Sequence, residues 1–155
     1  MPKVKVRTAK EFLFNSKEET LNKQMLDNHS GVLWDHTMPL ANIYLPEGFE
    51  SAQLDQVSKS ISKILSTALN KSEDYIMTVF QETKYQSFAN NHTDPSVYLE
   101  IKNVGELTPD LTSVLAPKLS KVFHSTLNIS PSRMYIEFQQ SERHHWGWNG
   151  KTFHS

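Results

Sequence analysis

Seven histidines, two of them adjacent, and no cysteine set the first limits on the chemistry of this 155-residue chain. Without thiols there is no disulfide framework, thiolate zinc site, iron–sulfur cluster or cysteine nucleophile. His144-His145 invites a metal site, but neighbours on an extended segment point apart, and His29, His36, His92, His124 and His154 are scattered. No metal and no cofactor are expected. Tyr135 and Glu137 are more informative. Two residues apart in an alternating run, they share one strand face, as a subunit contact or as a pair acting on one ligand. Trp146 and Trp148 share one side of a strand-like segment in the same way and suit a packing contact or a pocket wall. Lys71, taken alone, follows a long apolar helix pattern and reads as a cation that complements a helix C-terminus.

The elements that must carry these residues come in two copies. Leu69-Asn70 recurs fifty-eight residues later as Leu127-Asn128, and at the same offset Ser72 meets Ser130, Ile76 meets Met134 and Phe80 meets Phe138. Upstream, Val57, Ile61 and Leu65 meet Leu115, Leu119 and Phe123. Leu54, Val57, Ile61, Ile64, Leu65 and Ala68 form one apolar stripe at helical spacing, which predicts a helix over 51–69. Leu111 to Phe123 repeats the pattern behind Thr108-Pro109-Asp110, an N-cap, a first-turn proline and a first-turn acid. Pro117 inside that helix predicts a kink. Val97, Leu99 and Ile101 alternate with polar partners, as do Met134, Ile136 and Phe138, while Tyr75 to Phe80 is nearly continuous in apolar residues and reads as a central strand. Each half is therefore strand, helix, strand, and a right-handed crossover makes its two strands parallel. The expected fold class is α+β: two β-α-β repeats forming a four-stranded mixed sheet with two helices on one face. A sheet with one bare, partly apolar face predicts an oligomer.

Composition narrows the class further. A hydrophobic share of 37% and a charged share of 21% are those of a globular domain, which excludes a long disordered chain or a collagen-like rod. A formal net charge of −1 offers no basic surplus for nucleic acid or an anionic membrane. No apolar run is long enough to span a bilayer or to serve as a signal peptide. The expected compartment is the cytoplasm, with secretion lacking a signal peptide left open. Residues 1–37 stand outside the repeat, keep no clear apolar period, and read as a mobile N-terminal extension ahead of a domain over 38–155.

Several segments together carry a family resemblance. They are the strand opening Met38-Pro39-Leu40, Asn70-Lys71 after the first helix, Ser130-Pro131-Ser132-Arg133-Met134-Tyr135-Ile136, and the ending Trp146-Gly147-Trp148-Asn149-Gly150-Lys151-Thr152-Phe153. At these spacings, Met38 to Phe153 resembles macrophage migration inhibitory factor and its tautomerase superfamily. The resemblance implies a homotrimer with active sites between subunits. It implies that Pro39 is the catalytic proline, that Lys71 binds a substrate carboxylate, and that the backbone of Val104 contacts substrate. Tyr135 and Glu137 would reach in from the neighbouring subunit, and Trp146, Trp148 and Phe153 would form the apolar rim. Two departures stand out: Glu137 replaces an Asn usual in the animal cytokines, and the vertebrate C-x-x-C aligns with Ser96-Val97-Tyr98-Leu99, which excludes thiol redox chemistry.

The implied activity is keto–enol tautomerisation of phenylpyruvate or dopachrome type. It needs a base that is neutral near pH 7 yet still basic. A terminal proline is a secondary amine, and an apolar pocket beside the Lys71 cation would lower its pKa. In mid-chain the same nitrogen is an amide without basicity. The chemistry thus requires that the chain start at Met38 with that residue removed, that it be cut to Pro39, or that Pro2 be exposed and fold back, although the context of Pro2 lacks the strand. With the extension retained, the alternative is a non-catalytic, cytokine-like or scaffolding trimer that binds other proteins, such as a receptor. The implied partners are a small keto acid and further copies of the chain.

Overall fold

Residues 38–154 are described in the computed structural model, and the repeat runs through their backbone down to the caps. Strand β1 (Pro39–Pro46) leads to helix α1 (Ser51–Leu69) and strand β2 (Met77–Thr83). Strand β3 (Val97–Val104) leads to helix α2 (Pro109–Leu127) and strand β4 (Met134–Ser141). Asn70 and Asn128 close the two helices in the left-handed conformation, with φ of 52° and 55°. Asn tolerates that geometry better than other non-glycine residues, because its short amide can bond locally. Just beyond, Ser72 and Ser130 each accept a backbone N–H two residues on and open the 3₁₀ turns Glu73–Tyr75 and Pro131–Arg133. At the other end of α2, Thr108 Oγ1 accepts from the Leu111 N–H at 3.2 Å, and Pro109 occupies the first turn. Pro117 is exposed, and the helical pattern of α2 continues through it.

The sheet order is β2-β1-β3-β4, with β1 and β2 parallel, β3 and β4 parallel, and β1 antiparallel to β3. The architecture is the expected one. The run from Tyr75 differs from expectation: Glu73–Tyr75 is a 3₁₀ turn, and the strand that follows lies at an edge. The two central places belong to β1 and β3, whose helix-facing residues Ala41, Ile43, Leu99 and Ile101 are fully buried. Met77 on β2 stays 58% exposed. An apolar run predicts that both faces will be covered, and among the described residues nothing covers one of them.

Both helices pack on the same face. Val57, Ile61 and Leu65 from α1 and Leu115, Leu119 and Phe123 from α2 join the buried strand residues in one core. Its described members span Ala41 to Met134. The opposite face carries Asn42, Tyr44, Tyr98, Glu100, Lys102, Tyr135 and Glu137, none of them buried. The edges β2 and β4 have no strand partner on their outer sides among the described residues. No helix among these residues is long and apolar enough to cross a membrane. The expectation of a mobile extension over 1–37 falls outside them.

Arg133, in the Ser-Pro-x-Arg segment, has a structural task. Its guanidinium donates to the carbonyls of Pro95 (3.0 Å), Phe88 (3.2 Å), Asn91 (2.9 Å) and Asp94 (2.8 Å), tying the long β2–β3 connection to the end of α2. Charge-assisted bonds of this kind contribute about 1.5–3 kcal/mol each and are not additive within one cluster. Arg133→Ala is expected to cost about 2–3 kcal/mol in urea unfolding and to make residues 84–96 the first site of limited proteolysis. Unchanged cleavage there would show that the loop holds itself.

Candidate active site

The position of Pro39 follows from strand register. Pro39 pairs with Asn103 of β3, and the Val104 N–H donates to the Met38 carbonyl at 3.3 Å. Narrow and wide pairs alternate in an antiparallel ladder, so a bonded Met38–Val104 pair makes Pro39–Asn103 a non-bonded one. The Pro39 nitrogen therefore faces away from β3, toward the β2 side. The β1–β2 pairing begins only at Leu40 and Met77, and proline has no N–H to offer a ladder. Pro39 itself is buried. Beside it Asn103 is 3% exposed, and its Oδ1 is the one buried side-chain polar atom without a partner among the described residues.

The wall on that side is built by the C-terminal segment. A short hairpin joins β5 (Gly147–Trp148) to β6 (Lys151–Thr152) through Asn149 and Gly150, whose φ values of 50° and 77° suit the mirror-image turn that Asn-Gly favours. A Cβ on Gly147 would meet the Lys151 carbonyl at 3.3 Å, so a larger residue there would press on the hairpin. The Phe153 N–H donates to the Trp146 carbonyl at 3.0 Å and extends the pairing. Trp148 then stands edge-on to Tyr75, with centroids 5.4 Å apart. Met38, Asp74, Tyr75, Met77, Trp148 and Phe153 enclose a cavity of about 270 Å³ next to the start of β1.

Of the residues singled out in the sequence, Trp148 and Phe153 line this cavity; Pro39 follows the lining residue Met38, and Val104 bonds to the Met38 carbonyl, but neither is part of the lining. The Val104 side chain is 3% exposed, so only its backbone faces the start of β1. Trp146 is half-buried under the hairpin and does not line the cavity. Lys71 is half-buried in the turn after α1, its N–H donating to the Ser66 carbonyl at 3.0 Å, and it too lies outside the lining. Tyr75 and Asp74 escaped the sequence reading. Their signal is the Ser72 cap, which opens a 3₁₀ turn and sets them at the cavity mouth.

His144 and His145 correct an expectation. Arg143–His145 is a 3₁₀ turn, not an extended segment, and the two rings lie 4.1 Å apart. The tighter rotation per residue of a helical turn keeps neighbouring side chains close where a strand would separate them. His144 Nδ1 is 3.3 Å from Glu142 Oε2. Among the described residues no group of three or more His, Asp or Glu could hold a metal ion.

Tyr135 and Glu137 stand elsewhere. They pair with Tyr98 and Glu100, whereas Pro39 pairs with Asn103. At ~3.4 Å per residue, Tyr98 and Asn103 are roughly 17 Å apart along β3. Tyr135 is 68% exposed, with its ring 5.0 Å from that of Phe88. Glu137 accepts a hydrogen bond from the Tyr98 hydroxyl. That bond raises the Tyr98 pKa above the usual tyrosine range. One chain therefore separates this pair from the cavity at Pro39.

The macrophage migration inhibitory factor family matches residues 40–154. A macrophage migration inhibitory factor homolog from Brugia malayi is 30% identical over 95 residues, covering 61% of this chain and 82% of that protein. The crystal structure of the homologue from Prochlorococcus marinus superposes with a TM-score of 0.67 at 31% identity, over 74% of this chain and 98% of that one. The protein of that name from Toxoplasma gondii has the same fold at a TM-score of 0.69 and 24% identity, over 73% and 98% of the two chains. With the family model matching residues 40–154, most of its length, the chain belongs to the macrophage migration inhibitory factor family.

Proposed function

We propose that the protein is a homotrimeric keto–enol tautomerase acting on small keto acids of the phenylpyruvate or dopachrome type, with Pro39 as its acid/base once that residue is terminal. The observation that carries the reading is the direction of the Pro39 nitrogen, away from β3 and toward the β2 side, where the adjoining Met38 lines a cavity with Trp148, Tyr75 and Phe153. As a secondary amine at that place it would be poorly solvated, and burial disfavours its protonated form. It could then remove a proton from the carbon beside a carbonyl and return it to the other end of the enol system. Aromatic walls suit a substrate ring and keep water out. Lys71 would approach the substrate carboxylate from the turn after α1, and the Val104 backbone would border the reacting end. Tyr135 and Glu137, too distant within one chain, would complete the site of a neighbouring subunit. The sheet face and the edge strand β2, both left uncovered among the described residues, support such an assembly. No cofactor is needed for a proton shift. The cytoplasm is the compartment proposed, with secretion by a route that needs no signal peptide.

Two measurements test this reading. Light scattering at micromolar concentration should give three times the chain mass; a monomer would remove the shared site. In a chain beginning at Pro39, Lys71→Ala is expected to raise KM for phenylpyruvate by roughly one to two decades, the worth of a charge-assisted contact of about 1.5–3 kcal/mol. The effect falls on KM because the carboxylate is paired in ground and transition states alike. An unchanged KM would return Lys71 to the role of a helix-end cation.

A second reading has its own observation. Along the sequence as it stands, Pro39 is joined to Met38, whose carbonyl is engaged by Val104. Its nitrogen is then an amide, and the trimer would serve as a cytokine-like or scaffolding surface for other proteins.

A further inference from the structure

The charged groups on the open face of the sheet are not treated alike. Glu100 is matched by a cation, Lys102 Nζ at 3.2 Å, with Asn42 Nδ2 at 3.5 Å. Glu137 lies opposite Glu100 in the β3–β4 ladder. Its Oε2 accepts from the Tyr98 hydroxyl and its Oε1 from Gln139 Nε2 at 3.2 Å, so both described partners are neutral donors. Such donors stabilise a carboxylate without cancelling its charge. Tyr98 is itself held, its ring stacked on Tyr44 at 5.4 Å and 17°. It also lines a cavity of about 330 Å³ with Tyr135 and Phe88. The phenol remains a donor through neutral pH, because the bond to Glu137 and burial both hold its proton on.

Flexible glutamates on a wet strand normally sample several rotamers and present little directed charge. This one is pinned at both oxygens, two residues from Tyr135 and on the same face. From this geometry we propose that Glu137, positioned by Tyr98 and Gln139, is a fixed anion that makes the site select keto acids carrying a cationic group at the end remote from their carboxylate. The inference rests on the preceding reading, in which Tyr135 and Glu137 enter the site of a neighbouring subunit. There the substrate carboxylate goes to Lys71, and the remote end meets Glu137. An ammonium at that end is attracted and a second carboxylate repelled. Two unit charges roughly 6 Å apart in a half-wet site change affinity by about tenfold each way. Tyr98 is a positioning residue: without its hydroxyl, Glu137 keeps its charge but loses its direction.

The test uses three phenylpyruvates, with hydrogen, aminomethyl or carboxylate at the para position. Turnover and calorimetric binding are measured separately, on the full chain and on the chain beginning at Pro39. The expected order is aminomethyl, then hydrogen, then carboxylate, in steps of about tenfold. Glu137→Gln should compress that hundredfold spread to within about threefold, and Tyr98→Phe should give an intermediate spread, with light scattering confirming that both variants stay assembled. A flat order in the unaltered protein overturns the proposal, as does an order that Glu137→Gln leaves intact. The order seen in binding without turnover upholds the charge selection and overturns the tautomerase reading. Neither binding nor turnover with any of the three overturns both.

Discussion

A chain that begins at Pro39 should tautomerise phenylpyruvate at least about a hundredfold faster than one in which Met38 precedes it, since a positioned general base contributes ~10²–10⁴-fold. The cause is one bond. An amide nitrogen shares its lone pair with the adjoining carbonyl and neither takes nor gives a proton near neutral pH. Freed, the same atom becomes an amine. Terminal amines ordinarily titrate near pH 7.7–8.0, and burial lowers that value. The rate should rise with pH through the amine pKa, because only the neutral form accepts the proton. Removing residues 1–38 keeps every described core residue, from Ala41 to Met134. Intact mass of both samples must accompany the rates. Equal rates from samples with the correct masses would show that Pro39 is not the base, and would favour the scaffolding reading. Pro39→Gly in the active form keeps a free amine at the same place but a less preorganised one, so kcat should fall further than KM rises.

The second large effect is on stability. Leu65 and Phe123 occupy the same place in the two halves, each fully buried on a helix against the sheet. Phe123 is the largest fully buried side chain among the described residues. Phe123→Ala should cost about 3–5 kcal/mol, from lost burial and from the cavity left behind. For a chain of this size that corresponds to a fall in Tm of about 10 °C or more. Leu65→Ala removes less volume and should cost about 2–4 kcal/mol, while Phe123→Leu should lose less than either alanine variant. Calorimetry at fixed protein concentration checks the order, because assembly makes Tm concentration-dependent. A Phe123→Ala loss no greater than that of a surface change such as Ser125→Ala would mean that the two helices do not share one core.

The local grammar of this protein was legible residue by residue. The apolar stripe from Leu54 to Ala68 marked α1, and Thr108-Pro109 marked the start of α2. Period-two runs marked β3 and β4 and the face each residue takes. The match of Leu69-Asn70 to Leu127-Asn128 anticipated a repeat that extends to left-handed caps and serine-opened turns. These features depend on interactions within a few residues, which is the range over which spacing carries information. The family, too, was readable from the Ser-Pro-x-Arg segment and the Trp-Gly-Trp-Asn-Gly tail, now matched over residues 40–154.

What only the tertiary structure decided involves partners far apart in the chain. Apolar continuity over Tyr75 to Phe80 shows how apolar a strand is, not whether another strand lies on each side, and β2 proved to be an edge. Alternation put Tyr135 and Glu137 on one face, but only register with Tyr98 and Glu100 set them apart from Pro39. The same register turned the Pro39 nitrogen away from β3 to the β2 side, and the tertiary fold set Trp148 of the C-terminal hairpin against Tyr75. Nothing in the sequence tied Tyr98 to Glu137, because their bond crosses between strands thirty-nine positions apart in sequence. Spacing along a chain fixes the face a side chain takes, whereas its neighbours across the sheet are settled by the cooperative packing of the whole core, and the chemistry of this site depends on those neighbours.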